Sequence, residues 1–197
     1  PKFGLQFFYS KEGRKFLEKI KYDFWLDLKI NDIPQTAISA IDSLKDLKKC
    51  KYITVHASGG LEMLKAAKKK AKKINKNLKI LGVTVLTSLN NKSLKQIGHT
   101  RKIKQLVLKQ SDLIKKSGCD GLVCSAQEAM IVKNKYKNLL IITPGIRLPG
   151  DSSNDQMRIT TPREAFKNKV SGIVLGRSLT KGNLKNNIKR LLDHLKK

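Results

Sequence analysis

Asp27-x-Lys29-x-x-Asp32 is the stretch of this sequence whose residue types and spacing are best suited to chemistry. It sits in Phe24-Trp25-Leu26-Asp27-Leu28-Lys29-Ile30-Asn31-Asp32-Ile33-Pro34-Gln35-Thr36, an apolar strand pattern that ends in charge and runs into a proline suited to the first turn of a helix. Residues two apart on a strand face the same side, so Asp27 and Lys29 form an acid–base pair with a second acid nearby. Charges at a strand end cost desolvation unless they form a surface ion pair or serve a site.

The elements that must position this pair alternate along the chain. Strand patterns cover Lys2–Phe7, Phe24–Leu28, Tyr52–His56, Ile80–Leu86, Gly121–Cys124, Leu139–Thr143 and Gly172–Leu175. Helical patterns cover Lys11–Ile20, Pro34–Lys48, Gly60–Ile74, Thr100–Ser117, Ala126–Tyr136, Pro162–Lys169 and Leu184–Lys196. Mostly continuous apolar strands between helices predict a parallel sheet covered on both faces. Seven strands are one short of a (β/α)₈ TIM barrel. The sequence opens at Pro1 directly in a strand pattern, so we expect a barrel that lacks its first strand in these residues, in one catalytic domain spanning 1–197. An open doubly wound sheet fits less well, because no Gly-rich dinucleotide loop follows the first strand. Asp27, Lys29, His56, Thr87, Ser88, Ser125, Arg147 and Arg177 all fall at strand ends, where the sites of such barrels lie.

Composition narrows the function classes. Forty per cent hydrophobic content in 197 residues supports one buried core, and no apolar run approaches the ~20 residues of a membrane span. Cys50, Cys119 and Cys124 lie in no metal-ligand spacing and are odd in number, which points to a reducing cytoplasm, and with no base placed beside them Cys119 and Cys124 read as core residues rather than nucleophiles. The formal charge is +27, but Arg supplies only seven of the 42 basic residues and lysine the other 35. The lysines spread over polar helix faces with few aromatics among them, so no stacking platform for nucleic acid is expected. The excess does attract anionic ligands to a cleft. His56 has no paired ligand and reads as structural, and His99 and His194 read as surface residues.

The motif Asp27-x-Lys29-x-x-Asp32-Ile33-Pro34-x-Thr36 resembles the signature of the orotidine 5′-phosphate decarboxylases. Further landmarks follow in that family's order: Lys2-Phe3-Gly4-Leu5, Leu86-Thr87-Ser88, Thr143-Pro144-Gly145-Ile146-Arg147, Asp155-Gln156-x-Arg158 with Thr161-Pro162, and Gly176-Arg177. The resemblance implies removal of CO₂ from C6 of orotidine 5′-phosphate to give UMP, with no metal or organic cofactor. Reactions this slow when uncatalysed can require on the order of 20 kcal/mol of transition-state stabilisation. It implies Lys29 as stabiliser of the C6 carbanion and proton donor, Asp27 as the carboxylate that orients Lys29 and crowds the substrate carboxylate, and Lys2 as partner of Asp27 and the ribose. Asp32 and Thr36 are implied to enter the active site of a neighbouring subunit in a homodimer. Substrate binding falls to Thr87, Arg147, Gln156, Gly176 and Arg177, with Arg177 offering a planar fork to phosphate. Residues 150–154, rich in Gly, Ser and Asn, read as a mobile lid segment. The family's first-strand aspartate has no counterpart here. The alternative is a metal-dependent sugar-phosphate decarboxylase or aldolase of the same barrel superfamily, which would need additional acidic ligands.

Overall fold

A computed structural model describes residues 1–152 and 158–196. The chain divides into two compact units, Pro1–Thr84 with Gln110–Gly121, and Val85–Lys109 with Leu122–Lys197.

The first unit runs β1 (Lys2–Gly4), α1 (Leu5–Phe8), α2 (Gly13–Lys19), β2 (Phe24–Ile30), α3 (Pro34–Asp42), β3 (Cys50–His56), α4 (Gly60–Ile74) and β4 (Lys79–Val83). The strands pair in parallel, with Lys2 beside Trp25, Leu26 beside Ile53, and Ile53 beside Ile80. Leu26, Ile53, Val55, Ile80 and Leu81 are fully buried, as an apolar strand covered on both faces requires. On α4, Met63, Leu64, Ala67 and Ala71 make one buried stripe while the lysines between them take the other face. Asp120 then ties α4 to β4. Its carboxylate accepts Lys68 at 2.7 and 2.6 Å and the Ile80 N–H at 2.8 Å. Gly82 has no room for a side chain, because a Cβ there would collide with Ile114.

Two expected elements of this unit change. The strand expected over Lys2–Phe7 stops at Gly4, and Leu5–Phe8 turns helically, which brings the Phe7 ring to 4.8 Å from Phe3 and 5.5 Å from Phe16. An aromatic cluster thus outweighs strand continuation. The helix expected to reach Lys48 stops at Asp42, beyond which Ser43 bonds back to the Ala40 carbonyl and the chain continues in turns.

The second unit begins past β4 and contains α5 (Asn91–Gln96); α6 (Ile103–Lys116) and β5 (Gly121–Val123) span the divisions in sequence; then come α7 (Ala126–Lys135), β6 (Leu140–Thr143), α8 (Pro162–Lys167), β7 (Gly172–Ile173), α9 (Arg177–Thr180) and α10 (Leu184–Lys196). Helix starts are written in polar residues. Asn90 caps α5, Ser125 caps α7, and Thr161 with Glu164 forms a reciprocal capping box ahead of Pro162. Helix α5 was not expected from the sequence, and β4 and β7 end at Val83 and Ile173, short of Leu86 and Leu175. Among the described residues the strands pair in parallel with their neighbours in chain order within each unit, β1 to β4 in the first and β6 with β7 in the second.

Candidate active site

In the first unit Asp27 is the centre of a charged cluster. Its Oδ2 lies 2.7 Å from Lys2 Nζ and 3.0 Å from Lys29 Nζ, and its Oδ1 accepts the Thr54 hydroxyl at 2.9 Å. Asp27 is only 9 % exposed. Burial would raise its pKa, but the hydrogen bonds and charges of Lys2 and then Lys29 outweigh burial and hold the carboxyl below its ordinary value. It is therefore ionised at neutral pH and grips both ammonium groups.

The expected same-face arrangement of Asp27 and Lys29 is reached by a route that the pleat alone does not supply. Leu26 pairs with Ile53, and the next register point is Ile30 with Val55, so residues 27–29 bulge against Thr54. Lys29 sits at φ +51°, in the left-handed region that costs a non-glycine residue on the order of 1 kcal/mol. Its N–H turns to the Thr54 hydroxyl oxygen at 2.9 Å.

Asp32 and Thr36 are exposed, on the link to α3 and in its first turn. The Asp32 carboxylate accepts the Ile33 N–H at 2.7 Å. An open groove of about 420 Å³ carries Lys29, Asn31, Asp32 and Thr36. His56, half-buried, shares a 3.0 Å hydrogen bond with Ser58, whose hydroxyl reaches Asn31. Burial and the Lys29 charge lower its pKa, so it stands neutral beside the lysine.

In the second unit Arg147 and Arg177 come together. With Asp151, Ser178, Lys181 and Arg190 they line a cavity of about 210 Å³. Arg147 is anchored through the Ser152 and Ile146 carbonyls at 3.1 and 2.9 Å, and Arg190 through Asp151 at 2.9 Å. A Cβ at Gly176 would meet nothing within 4 Å, so packing does not demand a glycine there. Thr87 is buried, just after the Val85 and Leu86 carbonyls that accept Arg158 at 3.2 and 3.0 Å. Arg158 also pairs with Glu128 at 2.7 Å, both nearly fully buried. Burial pushes the Glu128 carboxyl up against the pull of Arg158. Gln156 and part of the expected lid lie outside the described residues.

The expected sites thus resolve into a Lys2–Asp27–Lys29 cluster in one unit and an arginine-lined cavity in the other. The chain matches the orotidine 5′-phosphate decarboxylase / HUMPS family over residues 2–190. The chain belongs to that family. Within it, the curated relatives include the orotidine 5′-phosphate decarboxylase of Buchnera aphidicola subsp. Schizaphis graminum, 44% identical over 178 residues that cover 90% of this chain and 74% of the relative. That of Staphylococcus epidermidis strain RP62A is 42% identical, over 91% of this chain and 79% of its own. Among solved structures, the orotidine 5′-phosphate decarboxylase of Lactobacillus acidophilus superposes with a TM-score of 0.83 at 30% identity, covering 100% of this chain and 86% of that one.

Several members of the two clusters were not read from the sequence. Thr54 carried only the signal of a polar residue inside the apolar run Tyr52-Ile53-Thr54-Val55, which does not say what it contacts. Arg190 and Lys181 carried none, being two among many basic residues on helical patterns. Cys119 and Cys124 are buried as expected and Cys50 is buried too, and burial lifts the Cys50 thiol to about 12 and Cys119 to about 11, away from nucleophilic use. His99 and His194 are half-buried, where open surface positions were expected.

Proposed function

We propose that this chain decarboxylates orotidine 5′-phosphate to UMP, the last step of de novo pyrimidine nucleotide synthesis. The observation that carries the reading is Asp27 held between Lys2 and Lys29 at a strand end, in a chain of this family. The C6–carboxyl bond breaks, CO₂ leaves, and its electron pair stays on C6. The Lys29 ammonium stabilises that charge and donates a proton to form C6–H, and solvent restores the lysine. Asp27, fixed and ionised, sets Lys29 on the reacting carbon and repels the substrate carboxylate until CO₂ departs; Lys2 neutralises Asp27 and reaches the ribose. Arg177 and Arg147 take the 5′-phosphate, the family resemblance extends substrate binding to Gly176 and Gln156, and Thr87 contacts the nucleotide. The chemistry asks for no metal or cofactor. In this reading residues 1–197 are one (β/α)₈-type catalytic domain supplying seven strands, which the chain-order strand pairing supports. The protein works in the cytoplasm; its three cysteines are free, and among the described residues no helix is long and apolar enough to cross a membrane.

Turnover of orotidine 5′-phosphate, followed by loss of its absorbance in EDTA, tests the reading. Wild type should be fully active, and Arg177→Ala should lose efficiency by about 10- to 150-fold on the nucleotide yet little on orotidine, because a charged hydrogen-bond pair to phosphate is worth about 1.5–3 kcal/mol. Activity lost in EDTA and restored by Mg²⁺ would favour the sugar-phosphate alternative.

Asp32 and Thr36 act in the site of a second copy of the chain. Both are exposed, and the apolar side chains near them, Ile33 and Tyr9, are 67 % and 77 % exposed, a surface suited to burial between copies. Lys29→Ala and Asp32→Ala chains, each inactive alone, should regain part of the activity when mixed and allowed to exchange, since a mixed dimer has one site with both native residues. Mixed dimers that form and stay inactive would rule out the shared site.

A further inference from the structure

We propose that Thr54 is a positioning residue for this reaction, its single hydroxyl fixing the Asp27 carboxylate and the Lys29 main chain in one arrangement. The inference rests on the decarboxylase reading and adds to it how the acid–base pair is held. Thr54 is fully buried in the middle of β3. Its hydroxyl hydrogen goes to Asp27 Oδ1 and its oxygen receives the Lys29 N–H, both at 2.9 Å. The two lysines share Oδ2, so Oδ1 would have no partner in this cluster without Thr54. Removing the hydroxyl from a low-dielectric site therefore frees the carboxylate to rotate.

The second bond has a different consequence. At the bulge the Lys29 N–H has left the regular ladder, and a buried N–H without an acceptor is costly. Thr54 supplies the acceptor and so holds the main chain at φ +51°, the conformation from which Lys29 Nζ reaches Asp27 at 3.0 Å. One oxygen atom thus fixes the root of the lysine and the far end of the carboxylate that steers its tip. Valine has the shape of threonine and neither bond; serine keeps both.

The experiment compares wild type, Thr54→Val and Thr54→Ser for kcat, KM and melting midpoint. Thr54→Val should lose about 10- to 100-fold in kcat with KM within about threefold, as a displaced catalytic group with intact substrate contacts would. Thr54→Ser should return kcat to within about threefold of wild type. The Asp27 carboxyl, followed by its ¹³C resonance, should titrate at higher pH in Thr54→Val. The groups facing it are Lys2 from β1 and Lys29 from its own strand, with His56 at the end of β3 beside Lys29. Should Thr54→Val fail to fold, Thr54→Cys, a weak donor of similar size, serves in its place with the same expectations. Full kcat in Thr54→Val, a kcat loss that serine does not repair, or an unchanged Asp27 titration would each overturn the proposal. An inactive wild type would overturn the decarboxylase reading instead, and the carboxyl titration would still decide whether Thr54 holds Asp27.

Discussion

Lys29→Ala should lower kcat on orotidine 5′-phosphate by at least about 10⁴-fold, because in the proposed mechanism it removes both the proton donor and the charge that stabilises the carbanion. The fold should survive. The lysine side chain is about a third exposed, and Asp27 keeps Lys2 at 2.7 Å and Thr54 at 2.9 Å, so no buried carboxylate is stranded by the change. Alanine retains the costly left-handed backbone at position 29, so the melting midpoint should move little in either direction. Steady-state turnover together with circular dichroism checks this. A folded variant retaining a tenth of the wild-type rate would remove Lys29 from the role of proton donor.

The largest effect on stability is expected in the second unit, where Arg158→Met should cost about 3–5 kcal/mol at pH 7 because it leaves the Glu128 charge buried without its partner. Two main-chain carbonyls, of Val85 and Leu86, lose their donor in the same step. The loss should depend on pH in a direction that can be worked out. Glu128 already has its pKa raised by burial, and without Arg158 nothing nearby opposes that rise as strongly. The native variant then binds more protons than the unfolded chain at any pH between the unfolded value, about 4.3, and the raised native one. Its stability must fall as pH rises through that window. Urea denaturation at pH 5 and pH 7 should show the smaller loss at pH 5. A loss below about 1 kcal/mol at both values would mean that Arg158 does not compensate the buried carboxylate.

The Asp27–Lys29 part of the candidate site was legible because its residues lie close together in sequence. Asp27, Lys29, Asp32 and Thr36 fall within ten residues, and a strand running into a proline-started helix needs only local rules to read. The Thr54 contact was not legible, because it depends on which residue of β3 faces the bulge, and register is a property of two strands rather than one. The Arg158–Glu128 pair spans thirty residues and joins a helix to a loop, so it is set by tertiary packing that no local pattern shows. Misread element ends have a shared cause as well. Phe7 looks like strand by propensity, yet tertiary aromatic packing turns it into helix, and residues 84–86 have strand-like composition but lie past the last hydrogen-bonded pair of β4.

The left-handed conformation of Lys29 also bears on how this protein would respond to selection. Glycine adopts φ +51° freely, and asparagine nearly so, whereas lysine holds it against a steric penalty. Any search that rewards thermal tolerance alone, in a laboratory library or by averaging sequences toward the commonest backbone-compatible residue, therefore meets its gain at the position to which we assign the proton transfer. Such a search would enrich sturdy, silent enzymes, and position 29 has to be locked before stabilising this scaffold begins.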